Sequence, residues 1–301
     1  MGKKLLELNG LSKSFGNLKA VNALSLSLEK GNIYGLLGPN GSGKSTTLGM
    51  VLNVVNPTRG SFQWYGGSLS THQALKKIGA IIERPNFYPY MTAVQNLKLI
   101  CKIKECSEEG IEEQLQLVGL WERRNSKFST FSLGMKQRLA IAAALVNEPE
   151  LLILDEPTNG LDPQGIHQIR ELIIQIAKKG TSILLASHLL DEVEKVCSHV
   201  IILKNGVKQY EGTVDGMSHS YGYFELAAND NKALVSLLEK HEAVGKIKEE
   251  NNIVTAYLKH NLETITLSKS ITEHQLYLTH LIKQKPSLEE QFLSLTEKEN
   301  S

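Results

Sequence analysis

The chain has 301 residues, of which 22% are charged and 41% hydrophobic, and its formal net charge is +1. This composition is typical of a globular protein with more than one domain, and the near-zero charge gives no reason to expect a nucleic-acid partner. Three cysteines without a CxxC pair favour a reducing compartment, and the lack of 18 consecutive apolar residues predicts no membrane-spanning helix.

The first predicted elements are strands that flank a glycine-rich turn. Residues 20–28, AVNALSLSL, alternate leucine with serine, which is typical of a half-buried strand and favours N-terminal antiparallel β strands. Residues 32–37, NIYGLL, predict a second strand that runs into the turn, and STTLGMVL after the turn predicts a helix. The segment KKIGAIIE predicts a further strand, which ends at Glu83.

Residues 87–147 have the pattern of a helical insertion, which we expect to form a helical subdomain. A capping box that begins at Thr92 precedes one helix, and Ser107 is placed to start a second. Ser132 is placed to start a third helix, which stops before Pro149.

The rest of the first domain alternates strand and helix. LLILDEP at 151–157 is a continuous apolar run, which suits a strand covered on both faces, and a helix separates it from the strand TSILLASH at 181–188. The pair Asn205-Gly206 predicts a hairpin turn. Strand–helix–strand alternation indicates an α/β domain with a parallel sheet, which we expect to cover residues 1–215.

Residues 216–301 are predicted to form an accessory α+β domain. The predicted order is strand, helix, strand, strand, helix, strand, which favours a ferredoxin-like fold, and a last helix is expected from Ser287. The strands are expected at 221–227, 243–249, 252–258 and 276–283, and the helices at 231–241 and 263–274.

A glycine-rich motif carries the clearest chemistry. GPNGSGKS fits the pattern G-x-x-x-x-G-K-S, and the strand and helix on its flanks argue against a chance turn. Its backbone amides and the helix N-terminus favour phosphate oxygens. Lys44 is expected to reach the β- and γ-phosphates of ATP, and the Ser45 hydroxyl to bind Mg²⁺. The nucleotide-binding residues predicted here are Gly38, Pro39, Asn40, Gly41, Ser42, Gly43, Lys44, Ser45 and Thr46.

Two carboxylates follow the buried strand LLILD. Asp155 ends the strand, so its side chain is expected at the sheet edge, where it would contact Mg²⁺. Glu156 can orient and deprotonate a water, and a general base of this kind contributes about 10²–10⁴-fold to a rate. A solvated strand end is the alternative for an isolated Asp-Glu pair, and the upstream phosphate loop disfavours it.

Together these motifs resemble the ATP-binding subunits of ABC transporters, over roughly residues 5–215. The resemblance implies an ABC-type P-loop NTPase core that works as a head-to-tail pair of subunits. Each ATP would lie between the phosphate loop of one subunit and the signature motif of the other. The motifs that carry the resemblance are GPNGSGKS, FSLGMKQ at 131–137, LLILDEP, GLDP at 160–163 and His188 in LLASH.

The resemblance also implies roles for residues outside the phosphate loop. Ser132, otherwise a plain helix cap, and the Gly134 amide would touch the γ-phosphate across the subunit interface. His188 would contact the γ-phosphate and hold the attacking water, and Asp162 would link the two sites. Phe15 would stack on adenine, with a core phenylalanine at a strand end as the alternative.

Two positions depart from the family pattern. Leu133 replaces the first glycine of the signature motif, which puts the tightness of that contact in question. Glu83 stands where the family usually has glutamine, so the resemblance places it near Mg²⁺, and a carboxylate binds this ion more strongly than an amide does. The alternative for Glu83 is a salt bridge with Arg84 or Lys77.

The segments ERPNFYPYMTAVQNL and SLEEQFLSLTEK resemble the bacitracin-export and lantibiotic-immunity branch. That branch implies a subunit that powers a separate membrane permease, on the inner face of the cell membrane. The aromatic segment from Pro85 to Met91 is the predicted permease contact, and a well-packed loop is its alternative. Residues 216–301 are expected to support dimerisation or permease contact.

Two other classes of function remain open to test. A soluble ABC protein that acts on ribosomes or DNA usually carries two cassettes or a long coiled coil, whereas this chain has one phosphate loop and no sustained heptads. The second class is a regulatory module in residues 216–301, although the histidines there are scattered without ligand spacing.

Replacing Glu83 with glutamine tests its predicted place beside Mg²⁺. Glu83→Gln should weaken the coupling of ATP hydrolysis to transport more than it weakens ATP binding, because only the charge at the ion changes. Transport and ATP affinity measured together check this. Equal values of both in the variant and the wild type would discard the idea.

Overall fold

Two separate hydrophobic cores divide the chain into two units, Met1–Gly212 and Thr213–Ser301. The computed structural model describes residues 2–82, 86–217, 221–284 and 292. Within these residues no helix is both long enough and apolar enough to cross a bilayer.

The elements that begin in the first unit are, in chain order, β1 (Lys4–Phe15), β2 (Leu18–Glu29), β3 (Ile33–Leu37), α1 (Lys44–Val51), β4 (Arg59–Trp64), α2 (Thr71–Lys77), β5 (Gly79–Ile81), α3 (Ala93–Lys104), α4 (Ile111–Leu117), α5 (Leu133–Leu145), β6 (Leu151–Asp155), α6 (Pro163–Lys178), β7 (Ser182–Ser187), α7 (Leu190–Val196), β8 (His199–Lys204) and β9 (Val207–Thr213). Those of the second unit are α8 (Val214–Met217), β10 (Tyr223–Ala228), α9 (Asn231–Glu239), β11 (Val244–Glu250), β12 (Ile253–Leu258), α10 (Thr264–Glu273) and β13 (Leu278–Gln284).

A six-stranded sheet in the order β5-β6-β7-β3-β8-β9 forms the centre of the first unit. Its first five strands are parallel, and every residue of β6 and β7 is buried, which explains their largely apolar sequences. The predicted hairpin after β8 is confirmed, because Asn205 and Gly206 both have positive φ, as the tight turn between twisted strands requires.

An antiparallel sheet in the order β2-β1-β4 lies beside this layer in the first unit. Its leucines Leu24, Leu26 and Leu28 are buried and belong to the same hydrophobic core as Leu36 of β3. The predicted N-terminal antiparallel strands and the α/β class are therefore confirmed.

The helical insertion consists of α3, α4 and α5. The capping box at Thr92 is confirmed, since the Thr92 hydroxyl accepts from the Gln95 amide and the Gln95 side chain accepts from Thr92 N–H. The predicted start of the second helix at Ser107 is wrong. The Ser107 hydroxyl is used by the Glu109 amide at 3.2 Å in a local turn, and α4 begins only at Ile111.

The second unit has one four-stranded antiparallel sheet in the order β11-β12-β10-β13. The chain order β10-α9-β11-β12-α10-β13 is the strand and helix order predicted from the sequence. Phe224, Leu226 and Val254 alternate along their strands and are buried against α9 and α10. The last predicted helix, from Ser287, lies outside the described residues.

Candidate functional site

The register of the parallel sheet brings three loops to one edge. Leu37 at the end of β3 lies opposite Ser187 at the end of β7, and Asp155 at the end of β6 lies opposite Ala186. The loops that follow these three neighbouring strands therefore leave the sheet together, at the edge where α/β sheets bind ligands. Residues far apart in the sequence meet there.

The first of these loops is the glycine-rich turn after β3. Gly43 has φ +103°, and a Cβ atom there would lie 2.5 Å from the Ala20 carbonyl oxygen. A Cβ atom on Gly38 would lie 2.3 Å from the Leu203 carbonyl oxygen. Only glycine fits at these two positions, because one requires a left-handed backbone and both require close backbone approach.

Lys44 follows directly, at the start of α1, and is buried. Its Nζ donates to the Gly38 carbonyl oxygen at 2.7 Å and lies 3.4 Å from that of Pro39. It also lies 3.6 Å from Glu156 Oε1. The loop therefore curls around an ammonium group whose charge is partly balanced by the carboxylate that follows β6.

Glu156 lies between two groups that can carry positive charge. Its second carboxylate oxygen, Oε2, is 2.8 Å from His188 Nδ1. Glu156 also has φ +48°, a left-handed conformation that is costly for a residue with a side chain and is found most often at functional sites. A hydrogen bond of 2.9 Å from its amide to the Ala186 carbonyl helps to hold this conformation.

Two of the three predicted metal ligands, Ser45 and Asp155, belong to the residues that the structure describes. Asp155 is buried at the end of β6, and Ser45 is exposed on the first turn of α1. Glu83 lies outside the described residues. No cluster of three His, Cys, Asp or Glu side chains able to hold a metal ion occurs in the part of the chain that the structure describes.

A cavity of about 440 Å³ opens beside the glycine-rich loop. Phe15 lines it and is 50% exposed, which excludes the alternative of a core phenylalanine, and Lys13 Nζ lies 4.8 Å from the centre of its ring. Sequence reasoning missed Lys19 and Asn205 in this lining. The only available signal was the hairpin turn at Asn205. The lining residues are Phe15, Leu18, Lys19, Ala20, Asn40, Gly41, Ser42, Gly43, Lys44, Ser45, Thr46 and Asn205.

Ser132, Gly134 and Asp162 line a different cavity, of about 330 Å³, between the start of α5 and the start of α6. The predicted cap of α5 is confirmed, because the Ser132 hydroxyl accepts from the Met135 amide. The N-terminus of α6 is capped in the same way, since Asp162 Oδ1 accepts from the Gly165 amide. Leu133, the departure from the family pattern, is 46% exposed on this surface.

One positive charge belongs to this second cavity. The Arg138 guanidinium lines it and donates to the Val118 carbonyl at 3.0 Å, and burial lowers the pKa of Arg138 from its ordinary value. The predicted site residues thus fall into two groups within one chain, one around the glycine-rich loop with Glu156 and His188, and one around Ser132.

Comparison with known proteins points to one family. The family described as ABC transporter matches residues 21–159. The chain is 36% identical to the bacitracin transport ATP-binding protein BcrA of Bacillus licheniformis, over 97% of each chain. It is 41% identical to the lantibiotic transport ATP-binding protein SrtF of Streptococcus pyogenes, over 69% of this chain and 93% of SrtF.

A solved structure agrees with this assignment. A dimeric ATP-binding cassette in a post-hydrolysis state, bound to ADP and phosphate, superposes with a TM-score of 0.61. It is 27% identical to this chain and covers 70% of this chain and 99% of its own length.

The glycine-rich loop can be tested by its backbone requirement. A left-handed backbone alone costs a residue with a side chain about 1–3 kcal/mol. Gly43→Ala should lower the free energy of unfolding by more than this, because the added Cβ also clashes with the Ala20 carbonyl. Gly41→Ala is the matched control, since Gly41 has φ +80° but nothing within 4 Å of an added Cβ. Urea unfolding of the full chain measures both, and equal losses would contradict the role of the close approach.

Proposed function

Because the chain belongs to the family of ABC transporter ATP-binding subunits and is an ATPase, we propose that it powers a separate membrane permease. The proposed task of this permease is export of, or self-protection against, a peptide antibiotic or a similar amphiphile. The observation that carries the site assignment is the pair of contacts from Glu156 to Lys44 and His188 beside the glycine-rich loop. The names of relatives such as BcrA and SrtF support the class of cargo.

ATP binding is assigned to the cavity at the glycine-rich loop. The triphosphate would lie against the amides of the loop and the N-terminus of α1, which favour negative charge. Lys44 is held by the Gly38 carbonyl at the floor of this loop, where it can pair with the β- and γ-phosphates. Phe15 offers an exposed ring to the adenine.

The residues at hand also suit Mg²⁺, which prefers oxygen ligands and usually takes one or two protein groups with the substrate phosphates. The Ser45 hydroxyl and the Asp155 carboxylate are such ligands, from the first turn of α1 and the end of β6. When bound, the ion would neutralise phosphate charge. Glu83 is a further proposed ligand.

Hydrolysis is assigned to Glu156 as the general base. Lys44 Nζ forms an ion pair with Glu156 Oε1 at 3.6 Å. A triphosphate that pairs with Lys44 instead would leave the Glu156 carboxylate free to accept a proton from water. His188 is placed by its 2.8 Å contact with Glu156 to contact the γ-phosphate and hold the water in position. A base of this kind lowers the barrier by about 3–5 kcal/mol.

A second copy of the chain is proposed to complete the site. Ser132, Gly134 and Asp162 lie around a cavity other than that of the glycine-rich loop, so within one chain they do not line the nucleotide cavity. In a head-to-tail dimer the capped N-terminus of α5 would bring its amides to the γ-phosphate of the partner's nucleotide. The similarity to a dimeric cassette supports this assembly.

The permease contact is assigned to the aromatic segment before α3, with the subunit held at the inner face of the membrane by this contact. The buried Asn96 side chain fixes the segment, accepting from Tyr88 N–H at 2.9 Å and donating to its carbonyl at 3.2 Å. Phe87 packs on Phe128 with ring centres 5.1 Å apart. Tyr88 and Tyr90 are 49% and 64% exposed, so they are the contact residues.

Glu156→Gln tests the catalytic assignment. The variant should bind ATP and form dimers like the wild type but hydrolyse ATP about 10²–10⁴-fold more slowly, because the amide cannot accept the proton. Steady-state phosphate release and nucleotide-dependent dimerisation measure the two effects. Glu194→Gln, an exposed carboxylate on α7, is the control. Wild-type turnover in Glu156→Gln would show that the base is misassigned.

The double variant Tyr88→Ala, Tyr90→Ala tests the permease surface. It should keep its ATPase activity but bind the permease at least about 10-fold more weakly, because exposed aromatic side chains supply much of the energy of protein interfaces. Co-purification with the permease from membranes measures this. Val54→Ala, 72% exposed in the first unit and outside the aromatic segment, is the control. Unchanged permease binding in the double variant would remove the assignment.

A further inference from the structure

A buried carboxylate is hydrogen-bonded to residues close in sequence to Glu156 and His188. Glu192, on the first turn of α7, is only 1% exposed. An ionised carboxylate in such a place is costly unless hydrogen bonds compensate for the lost water. Its partners therefore indicate what it does.

Two hydroxyl groups supply those hydrogen bonds. The Ser187 hydroxyl donates to Glu192 Oε2 at 2.8 Å, and the Thr158 hydroxyl donates to Glu192 Oε1. Both residues are buried, so water does not compete for these bonds. The Ser187 hydroxyl also accepts from the Leu189 amide at 3.0 Å. Each carboxylate oxygen thus holds a different part of the chain.

The two hydroxyls lie close in sequence to the two residues that carry the proposed chemistry. Ser187 immediately precedes His188, and its contact with the Leu189 amide spans His188. Thr158 lies two residues after Glu156, and its carbonyl accepts from the Leu161 amide in the turn that leads to Asp162. Glu192 therefore cross-links the segment of the proposed base to the segment of the proposed histidine.

We propose that Glu192 is a positioning residue, which fixes the spacing between the Glu156 carboxylate and the His188 ring through Thr158 and Ser187. The proposal rests on the catalytic roles assigned above to Glu156 and His188. Hydrogen bonds in which the acceptor is an ionised carboxylate are stronger than those between two neutral groups, so a single buried glutamate can hold both segments. Displacement of a reacting group by about 1 Å can reduce a rate by about 10²-fold.

The test is Glu192→Ala in the purified full-length protein, assayed with Mg²⁺ and ATP. We expect kcat to fall about 10-fold or more while KM for ATP stays near the wild-type value, because the groups that hold the phosphates are unchanged. Glu192→Gln, which keeps one acceptor oxygen and the same shape, should recover part of the lost kcat. Glu194→Ala, exposed on the same helix, should match the wild type.

Two further variants separate positioning from loss of stability. Val193 is fully buried on the same helix and packs against Gly35, so Val193→Ala should lower the melting temperature without lowering kcat well below that temperature. Ser187→Ala should reduce kcat in the wild type and have little additional effect in Glu192→Ala, because both changes break the same link.

The outcomes distinguish this proposal from the function on which it rests. If Glu156→Gln is inactive and Glu192→Ala keeps wild-type kcat, only the positioning role of Glu192 is overturned. The same conclusion holds if Val193→Ala loses as much kcat as Glu192→Ala, or if Ser187→Ala and Glu192→Ala have additive effects. If Glu156→Gln keeps wild-type turnover, the assigned catalytic function fails and this proposal fails with it.

Discussion

The in-register alignment of three parallel strands is the constraint on which the site depends. β6, β7 and β3 are neighbours in the sheet, and the ends of all three lie level with one another. Parallel pairing directs the loops that follow them to one edge. A lysine, a glutamate and a histidine from separate parts of the sequence therefore come within hydrogen-bonding or ion-pair distance, and the buried apolar strands beneath hold that edge in place.

Electrostatic balance accounts for much of the arrangement at this edge. Lys44 is buried, so its charge needs partners, and the structure provides two backbone carbonyls and the Glu156 carboxylate. The buried Glu192 carboxylate is stabilised by hydrogen bonds from the Thr158 and Ser187 hydroxyls, and its charge also acts on Cys197. Burial, with a smaller contribution from Glu192, raises the pKa of the Cys197 thiol to about 12. The cysteine is therefore a packing residue.

The chain consists of two structural units, each with its own hydrophobic core. The first unit holds the sheet, the helical insertion and both cavities, whereas the second unit is built around Phe224, Leu226 and Val254 on its own antiparallel sheet. The similarity to BcrA extends over 97% of both chains, so it includes the second unit. SrtF matches only 69% of this chain while covering 93% of its own length.

The amino-acid sequence alone determined the features that depend on neighbouring residues: the glycine-rich turn, the helix cap at Thr92, the hairpin at Asn205, and the order of strands and helices in the second unit. Each follows from local backbone preference or a short hydrophobic period. At Ser107 the hydroxyl could cap a helix or accept in a local turn, and the sequence pattern wrongly predicted the helix cap. Only the tertiary structure decided that Glu156 joins Lys44 to His188, that Asn205 lines the first cavity, and that Glu192 links the two loops. These contacts depend on the register between strands distant in sequence, which no local period encodes.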